Sequence, residues 1–321
     1  RYSDRVVAVT QDPFTRDEAI VNRSRTYVNL ATVYFQTGDN GRARELLNLA
    51  WRDRSSVMEP DDAQLISVKE RFADLELNAG NLEKAQALMA DYVNASERKF
   101  GANSEECIRA SSKLGEVMAR QGRYAQADSL FSASIAAGKR TLVEATDAIL
   151  ARTLQSRAIA RIRSGRASEA MSDLVQARRI IASVYDTMHY KVAQIDVLLS
   201  EAACANGDHR ASLSHARSAL RILNERVTAL RESPLPRAYP EPHLLPDAVY
   251  WKVRASLALA KPSPTAGQWQ EWNTDLDLAI AALSRNKAAV EDPASKLLLT
   301  GAQERLFDLA LDVAYGSHEA L

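Results

Sequence analysis

The chain has 321 residues, and its 41 lysines and arginines are balanced by 41 aspartates and glutamates. A net charge of zero argues against nucleic-acid binding, which uses a basic excess or a concentrated basic stripe. Two cysteines, Cys107 and Cys204, are too few for a disulfide framework, and no apolar run reaches the roughly 18–20 residues a membrane span needs. The expectation is therefore a cytoplasmic chain with reduced thiols and no membrane partner. It opens on Arg1 rather than Met, the mark of a processed piece whose targeting segment could have been removed.

In chain order, the first strong signal is a repeat. Gly38, Gly80, Gly122, Gly165 and Gly207 recur at intervals of 42 or 43 residues, and a fixed period of this size marks stacked structural units. The residues around each glycine agree in phase. The first unit reads Leu30-Ala31, Tyr34, Gly38, Ala43, and the second Phe72-Ala73, Gly80, Ala85, Met89. The third reads Leu114-Gly115, Met118, Gly122, Ala127, Phe131, and the fourth Ala158, Gly165, Ala170, Leu174. The fifth has Leu199-Ser200, Ala203, Gly207, with Ser212 in the alanine slot. Apolar spacing of three and four predicts two amphipathic helices per unit, and the glycine supplies the positive φ that turns one into the next. Small residues at 31, 73, 115, 158 and 200, with Ala43, Ala85, Ala127 and Ala170 opposite, let the two helices approach closely. Larger apolar residues at 30, 72, 114 and 199 are expected to fill the space between.

This pattern over residues of about 15 to 231 resembles the tetratricopeptide repeat, in the longer variety found in kinesin light chains. The segment Ser96-Glu97-Arg98-Lys99-Phe100-Gly101-Ala102-Asn103-Ser104 is similar to that variety's connector, with Asn103 or Ser104 capping the next helix. The resemblance implies an all-α, right-handed superhelix of stacked antiparallel helix pairs. Residues 1–231 would hold five pairs with an N-terminal lead-in. Residues 232–321 would add a degenerate sixth pair and a C-terminal capping helix, continuous with the same solenoid.

Prolines 234, 236, 240, 242 and 246 bar a helix from residues 233–246. Helices are predicted over Asp247–Ala260, from about Gln268 to Arg285, and from about Pro293 to Tyr315. Trp269 and Trp272, one turn apart, should pack on the preceding hairpin, the alternative being an exposed aromatic patch. The run Val290-Glu291-Asp292-Pro293-Ala294-Ser295-Lys296-Leu297-Leu298-Leu299 and then 304–311 resembles the segment joining such arrays to caspase-like CHAT peptidases. That likeness implies a C-terminal effector domain as a partner. The 321 residues do not include such a domain, so no peptidase activity carries over.

No residue pattern points to catalysis. Cys204 and His209 flank the fifth turn, where a small thiol beside a polar turn accounts for both. The five histidines form no convergent metal set, and no phosphate-binding or calcium loop is present. Neither a cofactor nor a metal is expected. The sequons at Asn22 and Asn94 fall on predicted helices. Arg152, Arg157, Arg161, Arg163 and Arg166, continued by Arg178 and Arg179, lack the interleaved aromatics of a nucleic-acid surface and are expected to be a solvated helix face, the alternative being a dock for an acidic peptide or a charged neighbouring domain.

The resemblance puts the first helix of each pair on the concave face. The offsets that follow are Arg25, Val28, Thr32 and Phe35 in the first pair, then Ser67, Glu70, Asp74 and Leu77 in the second. The third gives Arg109, Ser112, Glu116 and Arg120, the fourth Arg152, Gln155, Ile159 and Arg163, the fifth Gln194, Val197 and Glu201. Chaperone-binding members hold a C-terminal carboxylate with a lysine and an asparagine in the first unit. Val28 and Thr32 stand there instead, so that partner is excluded. The expectation is a non-enzymatic scaffold that binds a protein or a mixed-charge peptide, with a peptide-sensing domain of a bacterial regulator as the alternative.

Overall fold

The computed structural model describes residues 13–36, 39–60, 62–141, 145–231, 244–260, 264–289 and 293–319. Gly38, most of the proline-rich run and residues 290–292 lie outside them. Among the described residues there are thirteen helices and no strand. The first unit contains α1 (Pro13–Gln36), α2 (Asn40–Ser55), α3 (Ala63–Asn78), α4 (Leu82–Phe100), α5 (Glu105–Arg120) and α6 (Tyr124–Thr141). The second contains α7 (Ala145–Arg163), α8 (Ala167–Val184), α9 (Tyr190–Ala205), α10 (His209–Arg231), α11 (Leu244–Ala260), α12 (Ala266–Ala289) and, from Lys296 onward, α13 (Pro293–Glu319).

The turn glycines do what their spacing implies. Gly80, Gly122, Gly165 and Gly207 have φ between 77° and 79°. At Gly80 the glycine N–H donates to Leu77 O at 3.2 Å, and the next N–H, of Asn81, reaches back to Glu76 O at 2.8 Å. The same pair of bonds closes the turns at Gly122, Gly165 and Gly207. This is a Schellman ending, which satisfies carbonyls that a helix terminus leaves open and reverses the chain within a few residues. The connector after α4 is a variation on it. Gly101 takes φ 88°, and Ser104 rather than Asn103 caps α5, its Oγ accepting from Cys107 N at 3.2 Å.

Each turn brings a first helix against its second through the small slots. Ala31, Ala73, Ala158 and Ser200 are at most 2% exposed, and Ala43, Ala85, Ala127 and Ala170 are fully buried. At Gly115 the approach is closest: a Cβ there would stand 2.7 Å from Cε1 of Phe131. In the fifth pair two serines replace the alanine contact. Ser200 Oγ donates to Ser212 O at 2.8 Å and lies 3.0 Å from Ser212 Oγ, so both buried hydroxyls are satisfied. The large slots are less uniform. Leu114 and Leu199 are buried, whereas Leu30 is 41% exposed. Leu114 packs with Ile66, Ala73 and Met89 of the pair before it, and α1 has no earlier helix among the described residues.

The core of the first unit is relayed from pair to pair. Ala31, Ala43, Leu47, Val68 and Leu75 form one cluster, and Ile66, Ala73, Met89, Tyr92, Leu114 and Val117 belong to the next. In the second unit α11, α12 and α13 close around Trp272, with Val249, Val253, Leu276, Leu306, Leu309 and Val313. Trp269 meets Trp272 edge to face at 5.1 Å, and Gly316 leaves room for the Trp269 indole where a Cβ would stand 2.5 Å from it. The barrier expected through Pro246 is corrected. Helix α11 starts at Leu244 with Pro246 in its first turn, where the missing N–H has no intrahelical acceptor to lose.

Arg152, Arg163 and Arg179 are exposed as a solvated face requires, but three members of the arginine stretch depart from it. Arg157 Nε and Nη2 donate to Asp173 at 2.8 and 2.6 Å, and Arg161 Nη1 adds a third bond at 3.0 Å. Arg178 holds Asp196, which is fully buried and also accepts from Ser218 Oγ at 2.7 Å. Asp173 and Asp196 are acceptors on other helices of the unit, and the sequence of one helix does not display them.

Candidate functional site

In the first unit the groove offsets are largely committed to neighbours within the protein. Lys113 of α5 reaches back to α3, with Nζ 2.9 Å from Glu70 Oε1 and 2.8 Å from Asp74 Oδ2. Burial raises the Glu70 carboxyl, but Lys113 and Arg109 together outweigh it and hold the group below its ordinary range. Arg109 donates to Tyr92 Oη at 3.1 Å, and the exposed Arg120 donates to Leu77 O at 3.2 Å. Glu116 is half-buried. On α1, Thr32 turns its hydroxyl to Val28 O at 2.9 Å and Arg25 is exposed. Thr32, Phe35 and Asp74 border a space of only about 20 Å³ between α1, α2 and α3, room for one water at most.

The second unit is different. Gln155, Ile159 and Arg163 of α7 and Gln194, Val197 and Glu201 of α9 all line one cavity of about 200 Å³. Arg152, one turn earlier on α7, is exposed and does not line it. The far wall comes from Leu244, Asp247 and Trp251 of α11, and Arg305 of α13 closes one side. Ile159, Ile162, Val197, Leu198, Leu244 and Trp251 supply the apolar lining. Two amides, two arginines and two carboxylates are set among them.

The charges do not neutralise each other evenly. Arg305 Nη2 sits 3.2 Å from Asp247 Oδ1, with its guanidinium 5.7 Å from the centre of the Tyr250 ring. Glu201 makes no hydrogen bond or close ion pair among the described residues. Burial pushes its carboxyl above the ordinary range, Arg163 and Arg305 pull the other way, and Asp247 adds to the rise. Arg163, Gln155 and Gln194 likewise have no bonded partner among the described residues. A half-buried carboxylate, a nearby guanidinium and two amides, all with bonding capacity to spare, stand beside apolar side chains in one cavity, which is the mixture that binding of a ligand with polar and apolar parts requires.

Sequence reasoning missed Asp247, Trp251 and Arg305. Asp247 and Trp251 are one turn apart on α11, the four-residue spacing that the groove offsets share. No turn glycine follows α11 to set the register. Arg305 carries no comparable signal, because α13 reaches the cavity by folding back onto α11 and α12.

Two cysteines are present among the described residues, Cys107 buried and Cys204 half-buried. Cys204 Sγ is 3.9 Å from His209 Nδ1, the outer limit of a sulfur hydrogen bond. Burial raises the Cys107 thiol, which disfavours the reactive thiolate. Among the described residues no group of three or more His, Cys, Asp or Glu could hold a metal ion, and no helix is long and apolar enough to cross a membrane.

No family model matches the chain, and no curated protein matches it. Solved structures do. A kinesin-light-chain protein from Podosopora anserina with nearly identical tetratricopeptide-like repeats superposes with TM-score 0.53 at 19% identity, over 64% of this chain and 96% of that one. The apo form of RapI superposes with TM-score 0.61 at 10% identity, over 92% of this chain and 99% of that one. The Rap conjugation gene regulator of plasmid pLS20, in complex with the Phr* peptide, gives 0.54 at 11% identity, over 96% and 79%. At these identities the likeness is one of fold, and it makes this chain an all-α repeat protein of the tetratricopeptide-like kind.

Proposed function

We propose that the protein is a non-catalytic peptide-binding repeat protein, and that the cavity of its second unit holds a short mixed-charge segment. The observation that carries this reading is the convergence of Gln155, Arg163, Gln194 and Glu201, none bonded to a described neighbour, on one cavity also lined by Ile159, Val197 and Trp251. The amides suit the backbone of an extended peptide, Glu201 a cationic group, and Arg163 a carboxylate. The Phr* complex of the pLS20 Rap regulator, a protein of the same fold, makes peptide capture a natural use of such an array. A defined cavity of about 200 Å³ with convergent polar groups supports a sensor of a short segment over an open scaffold groove. A caspase-like effector domain beyond the array remains a separate proposal, supported only by the 290–311 pattern and tested by the reading frame after Leu321.

The test is calorimetric titration of the full chain with a panel of short peptides carrying both charges. Glu201→Gln is expected to weaken the tightest peptide by about 2–5 kcal/mol, the range for removing one partner of a desolvated charge pair. Arg163→Glu, at an exposed position, should cost about 1 kcal/mol and change the salt dependence. Arg179→Glu, exposed on α8, is the control. Arg178 cannot serve, because its loss would strand the buried Asp196. Equal binding by the wild type and Glu201→Gln would remove the cavity from the proposal. Peptide hydrolysis that vanished in Cys204→Ser would remove the non-catalytic reading.

A further inference from the structure

Helix α13 has two unlike faces. Leu306, Leu309 and Val313 point into the core around Trp272. On the opposite side Phe307, Leu311 and Tyr315, spaced by four, are 44%, 66% and 75% exposed. Three large apolar side chains in one line along a helix are an unusual use of a solvent face. Beside them runs a second line of the same spacing, Glu304, Asp308 and Asp312, all exposed and without a hydrogen bond or ion pair among the described residues. The described basic side chain of α13, Arg305, turns away to Asp247. The outer face of α13 is thus an apolar stripe with one acidic flank.

Charge decides what fits there. In an antiparallel pairing of two copies the same flanks meet, so acid would face acid. An anionic lipid surface would repel the same three carboxylates. We propose that this face docks an amphipathic helix of a partner protein, with the partner's apolar residues on Phe307, Leu311 and Tyr315 and its lysines or arginines over Glu304, Asp308 and Asp312. The mode is helix against helix, with apolar anchors at four-residue spacing providing the contact and the flanking charges selecting the partner. None of these six residues lines the cavity, and Arg305, at the edge of the acidic line, is engaged with Asp247.

The probes are two synthetic helices with the same leucine stripe, one flanked by lysines and one by glutamates. Each is titrated into the full chain by fluorescence anisotropy. The lysine-flanked helix should bind at least roughly tenfold more tightly than its counterpart, and the gap should narrow with salt. Phe307→Asn with Leu311→Asn should lower its affinity at least roughly tenfold. Asp308→Lys with Asp312→Lys should reverse the preference. All four positions are exposed, so thermal unfolding should stay near wild type, and the charge pair keeps the test alive if the apolar pair unfolds. Equal binding of the two helices, or an unchanged preference after charge reversal, would overturn the proposal. So would sedimentation showing a dimer that the Leu311 variant dissolves, which would assign the face to a second copy. Peptide capture at Glu201 does not enter any of these readouts.

Discussion

Asp74 and Glu201 occupy the same slot of the repeat, six residues before their turn glycines, yet the two units treat them in opposite ways. In the first unit the following pair sends Lys113 across to meet Asp74 and Glu70. In the second, the helix after Glu201 brings Asp247 and Trp251 to that position instead of a lysine. One carboxylate group is therefore neutralised by its own chain, while the other is left half-buried with spare acceptor capacity. The pKa directions follow. Glu70 is held low because cationic neighbours outweigh its burial, and Glu201 is raised because burial outweighs Arg163 and Arg305. The same backbone position carries a paired carboxylate in one unit and an unbonded one in the other, depending on what the next helix presents to it.

The contrast is broken most severely at Lys113. Lys113→Met leaves Glu70 buried without its cation and should cost about 3–5 kcal/mol, read from urea melts. A loss below about 1 kcal/mol would mean that the trio is a surface arrangement of little weight. The small slots test what the units share. Gly115→Leu and Ser200→Leu should each cost about 2 kcal/mol or more through overpacking. A cost below about half a kcal/mol at Gly115 would contradict the contact with Phe131.

The smallest effect is the most discriminating. A carboxyl with a raised native pKa contributes stability that is present while it is protonated, below its unfolded value, and lost as pH rises through the native value. Glu201→Gln should therefore make the unliganded chain slightly more stable at neutral pH and flatten that part of its stability profile. Glu70→Gln should do the reverse: its contribution is present above the unfolded pKa and fades as pH falls through the lowered native one. The same sign for both variants in a pH series of melts would erase the distinction between the two units.

Much of this was written in one dimension. The period, the Schellman turns at Gly80, Gly122, Gly165 and Gly207, the Ser104 cap and the small slots follow from local backbone preference and from i, i+3 and i+4 spacing. Those are properties of a single helix and its turn. The same offset rule named Gln155, Arg163, Gln194 and Glu201 before any of them had a neighbour. It named Glu70, Asp74 and Arg109 equally well, and nothing in the repeat pattern separated the two groups. Arg157 and Arg178 illustrate the limit: each reads as one more cation on a helix until Asp173 or Asp196 arrives from another.

What the sequence by itself determined is which side chains share a face, because a helix carries its own period. Which of those faces is already satisfied was decided only by tertiary structure. Lys113 is 39 residues from Asp74, and Arg305 is 58 from Asp247. The energy of a buried charge depends on its nearest opposite charge and on the water removed from it. Both quantities are distances in space, set by how one pair stacks on the next.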